Sequence, residues 1–142
     1  VESPGDVVIE TNSDSATGGI DTVYTSLAAY TLTSNVENGI INTTTAANIS
    51  GNSLNNLLVS GSGNNIIDGG AGNDTANYVL AISAVTINLN TSGTQSTGGS
   101  GYDTLLNIEN LIGSNYSDRL GGKSGSNLLR AANISLPQSE SK

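Results

Sequence analysis

Two carboxylates stand where backbone and side-chain oxygens would gather. Asp74 closes the run Gly69-Gly70-Ala71-Gly72-Asn73-Asp74, and Asp103 closes Gly98-Gly99-Ser100-Gly101-Tyr102-Asp103. Each run is a glycine-rich turn whose peptide carbonyls lie close to one acidic side chain. All-oxygen ligation of that kind suits a hard cation, Ca²⁺ above all. The candidate metal-ligating positions are therefore Asp74 with Gly70 and Gly72, and Asp103 with Gly99 and Gly101. Looser copies of the pattern add Asp118 and Asp21. Asn56 joins them because it stands eighteen residues before Asp74 in the same frame.

Nucleophilic or acid–base catalysis has far less to work with. The chain contains no His and no Cys, so the commonest bases and nucleophiles are missing. Tyr24, Tyr30, Tyr78, Tyr102 and Tyr116 could act as acids only beside cations, and the cations are Arg119, Lys123, Arg130 and Lys142. Tyr116 and Arg119 form the one near pair. They read as a turn tyrosine over glycines and an arginine paired with Asp118, and the expectation is that the chain is not an enzyme.

The elements that position the acids are nine-residue blocks. Three run in tandem: Gly51 to Val59, Ser60 to Asp68 and Gly69 to Asn77. The last follows G-G-x-G-x-D-x-U-x, apart from a small Ala76 at the apolar position. Six positions form a turn and three a short strand. The eighth residue points inward because strand side chains alternate. Leu58, Ile67 and Ala76 are thus the expected core. Two blocks make one coil, so Asp74 should stack over Asn56, and Asn65 over residue 83, where the repeat has broken. Two Asn at sixth positions lower the charge available to a cation. The competing reading is an asparagine ladder without metal. Gly113 to Gly121 (with Asp118), Gly122 to Arg130 (with Asn127) and Gly18 to Val23 are weaker copies. Glu37 and Glu109 recur in matched contexts, Val36-Glu37-Asn38 and Ile108-Glu109-Asn110. They are expected to point outward, with a reach to a neighbouring turn as the alternative.

Short strands with Gly and Asn turns indicate an all-β chain without significant helix. Strands are expected at Val7-Val8-Ile9, Asp21 to Ser26, Tyr30 to Thr33, Val36 to Thr43, Tyr78 to Leu80, Val85 to Leu89, Thr104 to Ile112 and Ala131 to Leu136. Residues 91–101 read as a protruding loop. Residues 1–134 form one domain, with repeat blocks at 50–77 and 98–130, and residues 135–142 a polar tail. At 142 residues, a solenoid of about seven coils spaced ~4.8 Å would be a rod on the order of 35 Å long. Its core would be thin and aliphatic, since Phe, Trp, Met and Cys are absent. Neither terminus reads as a cap, which suggests a piece of a longer array or an end that stacks on another copy.

The net charge of −8 argues against nucleic-acid binding. No apolar run approaches the ~20 residues of a membrane span. No signal peptide or initiating Met is present, as expected of a processed or excised chain.

On these motifs the chain resembles the hemolysin-type calcium-binding (RTX) repeat family. Two further stretches look like the spacers between repeat blocks of large secreted bacterial proteins. One comprises Gly5-Asp6-Val7-Val8-Ile9-Glu10, Gly19-Ile20-Asp21-Thr22-Val23 and Leu32-Thr33-Ser34-Asn35-Val36-Glu37-Asn38; the other, Val85-Thr86-Ile87-Asn88-Leu89-Asn90 and Tyr102 to Asn110. The resemblance covers roughly residues 5 to 130 and implies a right-handed parallel β-roll or β-helix. It also implies Ca²⁺ binding and a secreted, extracellular place at the bacterial cell surface. It implies no single activity. The function expected first is a calcium-braced structural module that associates with itself or with neighbouring coils, as in a filament or surface layer. The alternative is an accessory module that binds extracellular polysaccharide. Ice binding by a threonine face is weaker, because Thr43-Thr44-Thr45 does not recur at coil spacing.

Overall fold

The computed structural model describes residues 1–14 and 17–132. Among the described residues thirteen strands are present: β1 (Thr22–Thr25), β2 (Ala29–Thr31), β3 (Asn38–Ile41), β4 (Asn48–Ser50), β5 (Leu57–Val59), β6 (Ile66–Asp68), β7 (Thr75–Asn77), β8 (Thr86–Asn88), β9 (Thr94–Ser96), β10 (Tyr102–Leu106), β11 (Asn110–Ile112), β12 (Arg119–Gly121) and β13 (Leu129–Arg130). The described residues form an all-β structure without helix, and none of it is a helix long and apolar enough to cross a membrane.

The chain alternates between two sheets. One runs β1-β3-β5-β7-β11-β13 and is parallel throughout; the other runs β2-β4-β6-β10-β9 and is parallel up to β10. Each passage from one strand of the first sheet to the next is called a circuit below. Such alternation of parallel strands is compatible with a β-solenoid. The strands are short because each circuit turns a corner every few residues, and the parallel register is set by inward side chains stacking in columns. One column runs Val23, Gly39, Leu58, Ala76, Leu111 and Leu129. The expected core residues Leu58, Ile67 and Ala76 are all fully buried. Ile41, Ile49, Tyr78, Val85, Ile87 and Ile108 fill the rest of a core otherwise aliphatic. Gly39 is small because its inward space is taken: a Cβ there would lie 2.5 Å from Ile49.

The break in the repeat is resolved by an inserted hairpin. β9 lies antiparallel on β10, and β8, which precedes β9 in the chain, lies beside it. Gln95 clamps the two together, accepting from Asn88 N–H at 2.8 Å and donating to Asn88 O at 3.1 Å. β12 then pairs with β8 in parallel. Two extra strands are thus interposed between β10 and β12. Residues 91–101 are therefore no protruding loop: they carry β9, and Thr97 and Ser100 are buried.

Three expected strands differ in the structure. Val79 and Leu80 form a turn, and Tyr78 before it keeps a bond from its N–H to Ile112 O at 2.8 Å while its side chain fills the core. Val7–Ile9 makes no ladder. Instead residues 1–10 form a strap along the first circuit, where Val1 O accepts from Ser26 N–H at 3.2 Å and Glu10 O from Asn35 Nδ2 at 3.1 Å. Val1 and Val8 pack on the core, so the strap covers the first circuit, although neither terminal stretch reads as a cap in the sequence. Of Ala131–Leu136, residues 131 and 132 are not in a strand, and 133–136 lie outside the described residues, as does the tail 135–142.

Candidate functional site

Before six of the strands the turn leaves a buried or half-buried backbone N–H pointing along the stack. A buried, unpaired N–H is costly, so something must accept from it. In six places the acceptor is the side chain at the equivalent position one step further along the stack. Along one edge, Asp21 N–H donates to Glu37 Oε2 at 2.9 Å, Asn56 N–H to Asp74 Oδ1 at 2.7 Å, and Asp74 N–H to Glu109 Oε2 at 2.9 Å. Along the other, Ala47 N–H donates to Asn65 Oδ1 at 3.2 Å, Asn65 N–H to Asp103 Oδ1 at 2.8 Å, and Val85 N–H to Asp118 Oδ1 at 2.9 Å. The Asp or Asn at the sixth position therefore has a task in the apoprotein. It is a directional brace in which side chain meets backbone, rather than amide meeting amide.

The expected stacking of Asp74 on Asn56 is present. Asn65 does not stack over residue 83: Asp103 takes that place, thirty-eight residues away, because the hairpin is interposed. Asp103 and Asp118, fifteen apart in sequence, are not stacking partners, since Asp118 serves Val85. Asn56 and Asn65 turn their amide nitrogens onto carbonyls, Asn56 to Val36 and Glu37, Asn65 to Gly61 and Gly63. Outside, one side-chain amide pair stacks: Asn110 Nδ2 donates to Asn73 Oδ1, while Asn73 N–H donates to Asn55 Oδ1 at 2.8 Å. Glu37 and Glu109, expected to point outward, instead belong to the ladder and reach the neighbouring turn. Their matched contexts were the available signal, and the frame hides it because no glycine run precedes them.

Asp74 is fully buried. Its Oδ2 has no hydrogen-bond partner. Burial pushes its pKa up to about 6, opposed by the Asn56 N–H and reinforced by the carboxylates of Glu109 and Asp68. Glu109 is also pushed up by burial, but the Asp74 N–H and the Lys123 ammonium at 2.9 Å outweigh this and hold it below its usual value. Asp118 repeats the arrangement: Val85 N–H and Ser114 Oγ share its Oδ1, and its buried Oδ2 is unpartnered. Arg119 makes no ion pair with Asp118; among the described residues the one salt bridge is Lys123–Glu109. Asp21 is half-buried, and its pKa is raised by desolvation and by nearby Glu10 and Glu37.

Asp103 is different in kind. It is fully buried with both oxygens engaged, Oδ1 by Asn65 N–H and Oδ2 by Ser60 Oγ at 3.1 Å. Burial again pushes its pKa up to about 6 against these donors and the adjacent Tyr78 hydroxyl, which makes no hydrogen bond of good geometry. Ser100 Oγ donates to Gly61 O at 2.6 Å and closes the cluster. Sequence reasoning missed Ser60, Tyr78 and Ser100, which come together only because the hairpin brings the chain back.

The glycines hold circuits close. Gly70 and Gly72 have φ of +86° and +126°, and a Cβ on Gly72 would lie 2.5 Å from Leu54 O. Gly101, with φ of +79°, faces Gly63 O in the same way, and Gly99 faces Ser83 O. Neighbouring carbonyls therefore converge on these turns, and the donor set is all oxygen. Among the described residues no three carboxylates come together around one point. The oxygen left unpartnered at Asp74 and at Asp118 is a donor of the kind a hard cation takes. The charge offered is low. No family model, curated protein or solved structure matches this chain.

Proposed function

We propose that the chain is a calcium-binding β-solenoid module, right-handed and of about seven coils, with a structural role at the surface of a bacterial cell. The observation that supports calcium is the unpartnered Oδ2 of buried Asp74. An ionised carboxylate in that setting is destabilising unless a cation faces it. Among the described residues no Lys or Arg does so directly: Lys123 is bonded to Glu109 instead. A Ca²⁺ ion held by Asp74 Oδ2 and turn carbonyls would neutralise the charge and tie two circuits together. Asp118, with Ser114, is the second position of this type.

Ligand binding to the folded chain alone adds RT ln(1 + [L]/Kd), about 2.7 kcal/mol at a hundredfold excess over Kd. The test is thermal unfolding by circular dichroism in EDTA and then in Ca²⁺, with Mg²⁺ as a control for ionic strength. The melting temperature should rise with Ca²⁺. In Asp74→Asn, which keeps an acceptor for Asn56 N–H, most of that rise should vanish. Identical melts with and without Ca²⁺ would sink the calcium reading, leaving a structural module braced by its side-chain ladder alone.

A further inference from the structure

We propose that Lys123 is a resident counter-ion of the Asp74 site: by holding Glu109 it balances the site's charge without metal and lowers the site's affinity for Ca²⁺. The proposal rests on the calcium reading of Asp74 and names the residue that sets the strength of binding there.

Three successive circuits build the same corner twice. Asp21, Glu37 and Asn52 precede the neighbouring strands β1, β3 and β5; Asp74, Glu109 and Lys123 precede β7, β11 and β13 in the same order. In each set the N–H of the aspartate donates to the glutamate, Asp21 to Glu37 and Asp74 to Glu109, both at 2.9 Å. Two residues before each glutamate stands a left-handed asparagine, Asn35 with φ of 69° and Asn107 with φ of 51°. The third member also matches: its backbone N–H donates to the side chain four residues on, Asn52 to Asn56 and Lys123 to Asn127. From that turn its side chain reaches back to the glutamate corner. Asn52 Nδ2 meets backbone there, Thr33 O and Val36 O, both at 2.8 Å. Lys123 Nζ meets the carboxylate itself, Glu109 Oε1 at 2.9 Å. A neutral amide in one set is thus a cation in the other. The cation falls where the aspartate needs it: Asp21 is half-buried and meets water, whereas Asp74 is fully buried.

Both oxygens of Glu109 are engaged as a result, Oε2 by Asp74 N–H and Oε1 by the ammonium. The carboxylates of Glu109 and Asp68 both act on Asp74, so negative charge gathers about one buried carboxyl, and Lys123 is the positive charge that answers it. Toward an ion at Asp74 Oδ2 the lysine works in two ways. Its charge repels the ion, and its bond withholds Glu109 Oε1, the nearest further carboxylate oxygen that could lend charge to the site. The number of ligand charges is what tunes Ca²⁺ affinity in an all-oxygen site. Without the ammonium, Glu109 Oε1 is released and the repulsion is gone, so Ca²⁺ should bind more tightly. The Lys123 side chain is 32 % exposed, so solvent screens part of its charge and the gain should be about tenfold. The same lysine lets the stack close when calcium is absent.

The test is calorimetric titration of Ca²⁺ into the calcium-stripped full chain at fixed ionic strength, with thermal melts of each sample in EDTA. Asp74→Asn identifies the binding step that belongs to Asp74. Lys123→Asn installs the residue found at the matching position 52, and Lys123→Met removes the charge but keeps the alkyl stem. In both, the Asp74 step should tighten about tenfold while the melting temperature in EDTA falls. Lys123→Arg, which keeps the charge, should match wild type in both readouts. Arg130→Gln removes an equal charge elsewhere and should leave the Asp74 step unchanged. A neutral variant that is unfolded in EDTA and folds when Ca²⁺ is added, seen by far-ultraviolet circular dichroism, also supports the proposal, because the ion then does what the lysine did. Neutral variants that bind Ca²⁺ with wild-type or weaker affinity overturn it and leave the calcium reading standing. Equal tightening in Arg130→Gln overturns it too, since net charge alone would then account for the gain. No uptake of Ca²⁺ by any sample sinks the calcium reading and this proposal together.

Discussion

Replacing Asp103 by asparagine should make the protein more stable at neutral pH. A carboxyl whose pKa is higher folded than unfolded binds more protons in the folded state. Its contribution to stability is therefore fully present below the unfolded value and is lost as the pH rises through the folded one. For Asp103 those limits are 3.8 and about 6. At ~1.36 kcal/mol per pH unit the difference corresponds to about 3 kcal/mol, which the wild-type chain forgoes above pH 6. The substituted amide would carry no charge and would keep the geometry. Its Oδ1 still accepts from Asn65 N–H, and its Nδ2 can donate to Ser60 Oγ. Ser60 has the capacity for this, because it accepts from Asn65 Nδ2 at 2.9 Å and can direct its own proton to Gly61 O at 3.1 Å. The assay is chemical unfolding of both chains in calcium-free buffer from pH 3.5 to 7.5. Asp74 and Asp21 carry shifts of the same sign, and Asp6 and Glu109 carry shifts of the opposite sign, so the wild-type profile alone mixes several groups. The difference between wild type and Asp103→Asn isolates Asp103. It should be small near pH 3.5, grow between pH 4 and 6, and level off in favour of the variant by about 3 kcal/mol, or roughly 10 °C in melting temperature. A variant less stable than wild type at pH 7.5, with a difference independent of pH, would refute the reasoning. It would show that the carboxylate is stabilised by its hydrogen bonds more than it is penalised by burial.

Two further substitutions probe the stack itself. Leu58→Ala removes a fully buried side chain between two circuits and should cost about 2–5 kcal/mol in unfolding free energy, with no dependence on pH or calcium. Gly69→Ala would place a Cβ 2.6 Å from Asp74 Oδ2 and closer still to the backbone of Asn107, so circuits must separate; a loss of about 1–3 kcal/mol is expected in the same assay. Gly93→Ala is its control, with no atom near the added methyl and an expected change near zero.

Much of the stack was legible in the residues themselves. The nonapeptide frame placed Leu58, Ile67 and Ala76 inward and set Asp74 over Asn56, because strand alternation and an eighteen-residue coil are local periodicities that a sequence displays directly. The same frame misplaced Asn65 at the one point where periodicity fails. Whether residues 78–101 loop out or fold in depends on whether Thr97 and Ser100 find buried partners and Tyr78 finds room in the core, and the Gly61 carbonyl that Ser100 bonds lies far away in the chain. The strap is a similar case: Val7-Val8-Ile9 has the composition of a strand, but its neighbours decided that it would lie across an end and pair with no ladder. Glu37 and Glu109 show the limit most clearly. Their oxygens serve backbone N–H groups sixteen and thirty-five residues away, a need created only when circuits stack and exclude water. The sequence by itself determined the residue types, the inward columns and the all-oxygen character of the turns. The tertiary structure alone decided which of those oxygens are spent on the backbone and which two carboxylate oxygens are left over, because only the stacking of distant circuits sets which N–H groups lose their water.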